Sequence, residues 1–62
     1  MKNIIQQERK KIGKSQQQLA KDVGITRPAL SNIERGEVVP SGDVLLKICK
    51  AIGKPVEELF FY

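Results

Sequence analysis

The chain has no histidine and a single cysteine, Cys49, and both scarcities narrow what it can do. One cysteine cannot form an internal disulfide, which fits a reducing cytosol. The sequence offers no Cys/His cluster to bind zinc, no nucleophile with a base partner and no phosphate-binding loop. It therefore predicts that the protein is not an enzyme: we expect no catalytic residue, no metal, no cofactor and no small-molecule ligand.

Long hydrophobic runs are also missing. No apolar run approaches the ~18 residues that a membrane span needs, and residues 1–6 contain no apolar stretch long enough for a signal peptide. We therefore expect a cytoplasmic protein that does not contact a membrane. The 62 residues predict one domain over 1–62. A domain this small buries only ~60% of its unfolded surface, so dimerisation would help to stabilise it.

The charges that are present are unevenly placed. Residues 1–36 contain eight basic and three acidic residues, a net charge of +5, whereas residues 37–62 contain three basic and four acidic residues, a net charge of −1. A basic half of this kind fits the binding of nucleic-acid phosphates. The total of +4 is by itself ordinary for a small protein, so charge alone does not decide the function.

Glycines and capping residues divide the chain into five predicted helices. Ser15 with Gln18 three residues later forms a capping box, which begins helix 2. Pro28 is tolerated only in a first helical turn, which places the N-cap of helix 3 at Thr26 or at Arg27. The predicted helices run from Lys2 to Ile12, from Ser15 to Gly24, from Thr26 to Gly36, from Ser41 to Gly53, and from Pro55 into the aromatic C-terminus.

Predicted helices 2 and 3 are joined by the tight turn Gly24-Ile25-Thr26. Two helices joined by a short turn that contains glycine match the helix-turn-helix, whose second helix enters the major groove of DNA. The polar residues of helix 3 suit this role. Arg27 can donate to guanine O6 and N7 or clamp a phosphate, and Asn32 can pair with adenine N6 and N7.

The register of these residues resembles the Cro/C1-type (XRE-like) helix-turn-helix family of small bacterial and phage transcriptional regulators. Fifteen motif positions fall in register, and the resemblance runs from about Ile5 to Phe60. The positions are Arg9, Gly13, Ser15, Gln16, Leu19, Ala20, Gly24, Ile25, Thr26, Leu30, Ser31, Ile33, Glu34, Gly36 and Pro40.

The resemblance implies an all-α, compact five-helix lambda-repressor-like DNA-binding domain with the helix-turn-helix at helices 2 and 3. It implies that Gln16 contacts a backbone phosphate and that Arg9 pairs with Glu34 to lock helix 1 against helix 3. We also predict phosphate contacts from Ser15 and Arg35. Base contacts are predicted from Arg27, Pro28, Ser31 and Asn32, with Pro28 limited to apolar contact such as a thymine methyl.

The sequence departs from the family pattern at three places. Glu8 stands where the family often has an apolar residue, and Lys14 stands where it often has leucine. The loop Glu37-Val38-Val39 replaces a loop that is often basic. We therefore expect no phosphate contact from residues 37–39.

All three aromatic residues lie at the C-terminal end. They either cap the core or form a self-complementary patch, and we predict a homodimer interface from Leu59, Phe60, Phe61 and Tyr62. The leading hypothesis is a sequence-specific double-stranded-DNA-binding regulator, a repressor that binds an inverted repeat as a homodimer. An antitoxin that regulates its own promoter, or an interaction module without DNA binding, are the alternatives.

Overall fold

Five helices and one short pair of strands make up residues 1–61, the part of the chain that the computed structural model describes. The all-α fold class is confirmed, with the strand pair as an addition. The elements are β1 Lys2–Asn3, α1 Ile5–Lys11, α2 Gln16–Val23, α3 Arg27–Glu34, α4 Gly42–Ile52, α5 Val56–Leu59 and β2 Phe60–Phe61.

Side-chain hydroxyl groups begin the three longest helices. Ser15 Oγ accepts the backbone N–H of Gln18 at 3.0 Å at the start of α2. Thr26 Oγ1 accepts the N–H of Ala29 at 3.2 Å and begins α3, which decides between the two N-caps that the sequence left open. Pro28 is then the second helical residue, where a missing N–H leaves no helical bond unmade. Ser41 caps α4 in the same way.

The start of the chain differs from the prediction. Lys2 and Asn3 pair antiparallel with Phe61 and Phe60, so the first helix begins at Ile5 and not at Lys2. Asn3 explains the difference, because its side chain forms hydrogen bonds both to the start of α1 and to the end of α3. Its Oδ1 accepts the N–H of Ile5 at 3.1 Å, and its Nδ2 donates to the carbonyl of Ile33 at 2.8 Å. Asparagine favours such helix-end positions over helix interiors.

The C-terminal apolar residues are split between core and surface. Leu59 and Phe60 were expected at a dimer interface but lie in the core of the single chain, with 0% and 4% of their surface exposed. Side chains alternate across a strand, so Phe60 faces inward and Phe61 faces outward with 42% of its surface exposed. Of these three residues, only Phe61 therefore remains a candidate for the dimer interface. Tyr62, the fourth predicted interface residue, lies outside the described residues.

The core takes side chains from every helix. Its centre is formed by residues whose surface is completely buried, and smaller residues of α2 and α4 fill the space around them. The completely buried residues are Ile5, Leu19, Leu30, Ile48 and Leu59.

Candidate nucleic-acid interface

The turn between α2 and α3 fixes how the two helices meet. Gly24 has φ +85° and donates its N–H to the carbonyl of Ala20 at 2.9 Å, which ends α2 in a left-handed residue. Glycine adopts this conformation without the penalty that a Cβ brings. Half-buried Ile25 follows, its N–H bonded to the same Ala20 carbonyl at 3.0 Å, and Thr26 then caps α3.

Helix α3 has one buried and one polar side. Leu30 and Ile33 face the core. The four predicted base-contacting residues fall at i, i+1, i+4 and i+5, a spacing that places them along one side of a helix. Of these, Arg27 and Pro28 are exposed, while Ser31 and Asn32 are half-buried. The structure therefore brings together Arg27, Pro28, Ser31 and Asn32 on the polar side of α3.

Gln16 connects this side to the first turn of α2. Its Nε2 donates to Glu34 Oε1 at 3.1 Å, and its Oε1 accepts from Arg27 Nε at 3.2 Å. Gln16 is the first residue of α2 and Ser15 is the cap. Backbone N–H groups at a helix N-terminus have no partner within the helix and attract anions. The predicted phosphate ligands Ser15 and Gln16 thus lie beside the predicted base reader Arg27.

Arg9 and Glu34 form the ion pair that the resemblance implied. Arg9 Nε lies 2.9 Å from Glu34 Oε2, and the two side chains are 8% and 4% exposed. Arg9 Nη1 also donates to the Lys14 carbonyl at 3.0 Å. The Glu34 carboxylate therefore joins α1 to α3 and, through Gln16, to α2. Charge-assisted bonds to both carboxylate oxygens hold this junction in one geometry.

Arg35 lies directly after α3 and bends back over its polar side. Its Nη1 donates to Ser31 Oγ at 2.8 Å, its Nη2 donates to Asn32 Oδ1, and its Nε donates to Glu37 Oε2. The sequence predicted Arg35 as a phosphate ligand. The structure instead places its guanidinium among three acceptors of the protein, two of them predicted base-contacting residues.

Glu8 is the residue whose role the sequence did not reveal. It is 6% exposed, and its carboxylate lies 3.0 Å from Lys11 Nζ and 3.4 Å from Lys54 Nζ. The hydrogen bond from Lys11, together with the charges of both lysines, holds the pKa of Glu8 below its usual value. The Glu8–Lys11 spacing is an i,i+3 signal that is readable in sequence, whereas nothing local indicates Lys54.

Neither Cys49 nor a metal-binding group adds a reactive site to the described part of the chain. Cys49 is buried, and burial raises the pKa of its thiol, which disfavours the reactive thiolate. Over residues 1–61, no group of histidine, cysteine or carboxylate residues is arranged to hold a metal ion. None of the helices in that range is long and apolar enough to cross a membrane.

Helices α2 and α3 are joined by a turn at Gly24, and α3 has a polar side that faces away from the core. Both helices lie in the basic half of the chain. These features define a helix-turn-helix domain. The helix-turn-helix family model matches residues 5–59, and the protein belongs to this Cro/C1-type family of DNA-binding transcriptional regulators, which is not a family of enzymes.

Similar proteins and structures agree with this assignment. The chain is 43% identical to the HTH-type transcriptional regulator YgzD of Bacillus subtilis (strain 168), over 98% of this chain and 92% of that protein. The P22 c2 repressor, solved in complex with a synthetic operator, matches with a TM-score of 0.81 at 38% identity, covering 86% of this chain and 80% of the other. The restriction-modification controller protein C.AhdI of Aeromonas hydrophila also has a TM-score of 0.81, at 32% identity, covering 90% and 85%.

Proposed function

We propose that this regulator is a repressor that binds double-stranded DNA as a homodimer, with α3 in the major groove of each half of an inverted repeat. One observation carries the proposal: the polar side of α3 adjoins the N-terminus of α2 through the Gln16–Arg27 hydrogen bond. The surface that we propose contacts bases thus adjoins the helix end that we propose binds a phosphate, which supports the proposal. The P22 c2 repressor, which has the same fold, was solved on an operator.

The base-reading role falls to the side chains of α3. Arg27 uses its Nε on Gln16, which leaves its two terminal amino groups for guanine O6 and N7 or for a phosphate. Pro28 has no side-chain donor and offers apolar contact to a thymine methyl. Ser31 and Asn32 lie one turn further along the same side and meet the next bases.

The phosphate role falls to the start of α2. Glu34 holds one amide hydrogen of Gln16, and a primary amide has two. The second hydrogen of Gln16 is therefore available for a phosphate oxygen, next to the backbone donors that follow Ser15. A phosphate at this helix end also gains from the helix dipole.

Selection from random DNA duplexes, followed by gel shifts on the selected site, tests the proposal. Asn32→Ala and Arg27→Ala are each expected to cost ~1–3 kcal/mol at the selected site and to relax base choice at one position. Lys47→Ala is the control, because Lys47 lies on α4 and pairs with the exposed Asp43 of the same helix. Affinity is expected to fall as salt rises, with about −0.9 in the log–log slope for each neutralised phosphate.

Two results would contradict the proposal. The first is failure of the protein to enrich any duplex sequence from the random pool. The second is a selected motif that Asn32→Ala and Arg27→Ala both leave unchanged, which would mean that the polar side of α3 does not face the bases.

A further inference from the structure

The exposed side chain of Arg35 hydrogen-bonds to the polar side of α3. Its Nη1 and Nη2 donate to Ser31 Oγ and Asn32 Oδ1, which lie four and three residues before it. A guanidinium only donates hydrogen bonds and never accepts them. The Asn32 amide must therefore turn its oxygen, and not its nitrogen, toward Arg35. This chemical rule fixes the orientation of an amide that could otherwise rotate by half a turn.

Glu37 fixes Arg35 from the other side. Its carboxylate accepts the Nε–H of Arg35, so the flat guanidinium is held by three acceptors in three directions. The Arg35–Glu37 pair is 58% exposed on both sides, and an exposed pair alone contributes little stability. Its effect here is geometric, because Arg35 is presented to Ser31 and Asn32 in one arrangement. This also gives a role to the acidic residue that departs from the family's basic loop.

We propose that Arg35 is a positioning residue for base recognition: it locks the Asn32 amide so that Nδ2 alone is presented to the DNA. This proposal rests on the function proposed above and deepens it. In the major groove guanine, adenine and thymine each offer an acceptor to such a donor, whereas cytosine offers only its N4 donor. A locked Asn32 therefore rejects cytosine. A free Asn32 rotates its amide, accepts from cytosine N4 and loses that discrimination.

The same lock acts on Ser31. Because Ser31 Oγ accepts from Arg35, the hydroxyl hydrogen is left to donate outward. Ser31 and Asn32 thus present neighbouring donors, and Arg35 sets the direction of both. These contacts use three of the five N–H groups of Arg35, and the proposal assigns them a positioning effect that the phosphate role predicted from the sequence does not include.

The test compares base preferences, measured by selection on random duplexes, for the wild type, Arg35→Lys and Arg35→Met. Lysine keeps the charge but lacks the planar fork. If the planar fork of Arg35 positions Asn32, both variants relax base choice at the position that Asn32 contacts, and the rejection of cytosine there weakens by roughly tenfold. If Arg35 is only a phosphate ligand, Arg35→Lys keeps the wild-type preference, and Arg35→Met weakens all sequences alike with a salt slope smaller by about 0.9. That result overturns the proposal.

The Asn32→Ala background shows whether Arg35 acts through Asn32. Adding Arg35→Met to Asn32→Ala should cause no further loss of discrimination at that position, since contacting residues are not additive. Additive losses would overturn the proposal. Lys47→Ala is the matched control for loss of a basic residue, since Lys47 lies on α4 in an exposed pair with Asp43. A wild type that selects no sequence refutes the DNA-binding proposal itself, whereas a wild type that selects a motif which Arg35→Lys preserves refutes only the role of Arg35.

Discussion

At the scale of single residues, the buried ion pair of Arg9 and Glu34 is the contact with the largest expected effect. Removing one partner leaves the other charge buried without compensation. Arg9→Ala is expected to lower the free energy of unfolding by ~3–5 kcal/mol, measured by urea unfolding. The control is Lys47→Ala, which removes an exposed pair with Asp43 whose side chains are 53% and 77% exposed, and which should cost only ~0–1 kcal/mol. Equal losses in the two variants would contradict this assignment.

Glu8 makes a second prediction at this scale, concerning acid. The pKa of Glu8 is lowered in the folded protein by its hydrogen bond to Lys11 and by the charges of Lys11 and Lys54. Its contribution to stability is therefore complete above the unfolded value of about 4.3 and is lost as pH falls through the lower folded value. Glu8→Gln should be less stable than wild type at pH 7, and the difference should shrink as pH falls below the unfolded value of about 4.3. A difference that stays constant over this range would rule out the ionised carboxylate as its cause.

At the scale of elements, the turn of the helix-turn-helix depends on Gly24. A Cβ added there meets no atom within 4 Å, so the cost of alanine comes from φ +85° alone. Gly24→Ala is expected to lower the free energy of unfolding by ~1–2 kcal/mol. Gly42→Ala is the matched control, because Gly42 lies within a helix and has equal open space, and it should gain about 0.4–1 kcal/mol. Thermal unfolding measures the stability of both variants. A Gly24→Ala variant as stable as the wild type would mean that the turn forms with another backbone conformation at residue 24.

The end of α3 shows how one element is stabilised by another far along the chain. The N-terminal ammonium of Met1 donates to the carbonyl of Gly36 at 3.2 Å, and Asn3 donates to the carbonyl of Ile33. A Cβ at Gly36, where φ is +76°, would lie 3.0 Å from the Met1 carbonyl oxygen. The first three residues thus add hydrogen bonds at the C-terminal end of α3, where the Ile33 carbonyl also accepts the N–H of Gly36 at 3.0 Å.

At the scale of the whole molecule, the dimer proposal depends on Phe61 within the described residues 1–61, since Leu59 and Phe60 belong to the core. Phe61→Ser is expected to shift sedimentation toward the monomer. It should also weaken binding to an inverted repeat with half-sites ~10 base pairs apart far more than binding to one half-site. Leu46→Ser is the control, because Leu46 is an exposed hydrophobic residue on α4, 66% exposed against 42% for Phe61. A wild type that sediments as a monomer at high micromolar concentration, or a selected motif without two-fold symmetry, would refute the dimer.

The sequence by itself determined helices α2, α3 and α4, the turn between α2 and α3, and the polar side of α3. These features depend on residues within about one helical turn of each other: a hydroxyl at Ser15 or Thr26, a glycine at position 24, and apolar residues at helical spacing. Capping and periodicity act over three or four residues, so they can be read directly along the chain. The Arg9–Glu34 pair was predicted from the family resemblance, because no local sequence pattern links two residues that are 25 positions apart.

Only the tertiary structure decided the contacts between segments that lie far apart in the sequence. The pairing of Lys2–Asn3 with Phe60–Phe61 separates a buried Phe60 from an exposed Phe61, although the same apolar run fits a helix equally well. The burial of Glu8 beside Lys54 and the attachment of Met1 to Gly36 are equally non-local. Such contacts form where packing of the core brings distant segments together. Their partners are set by three-dimensional proximity, which the spacing of residues along the sequence does not record.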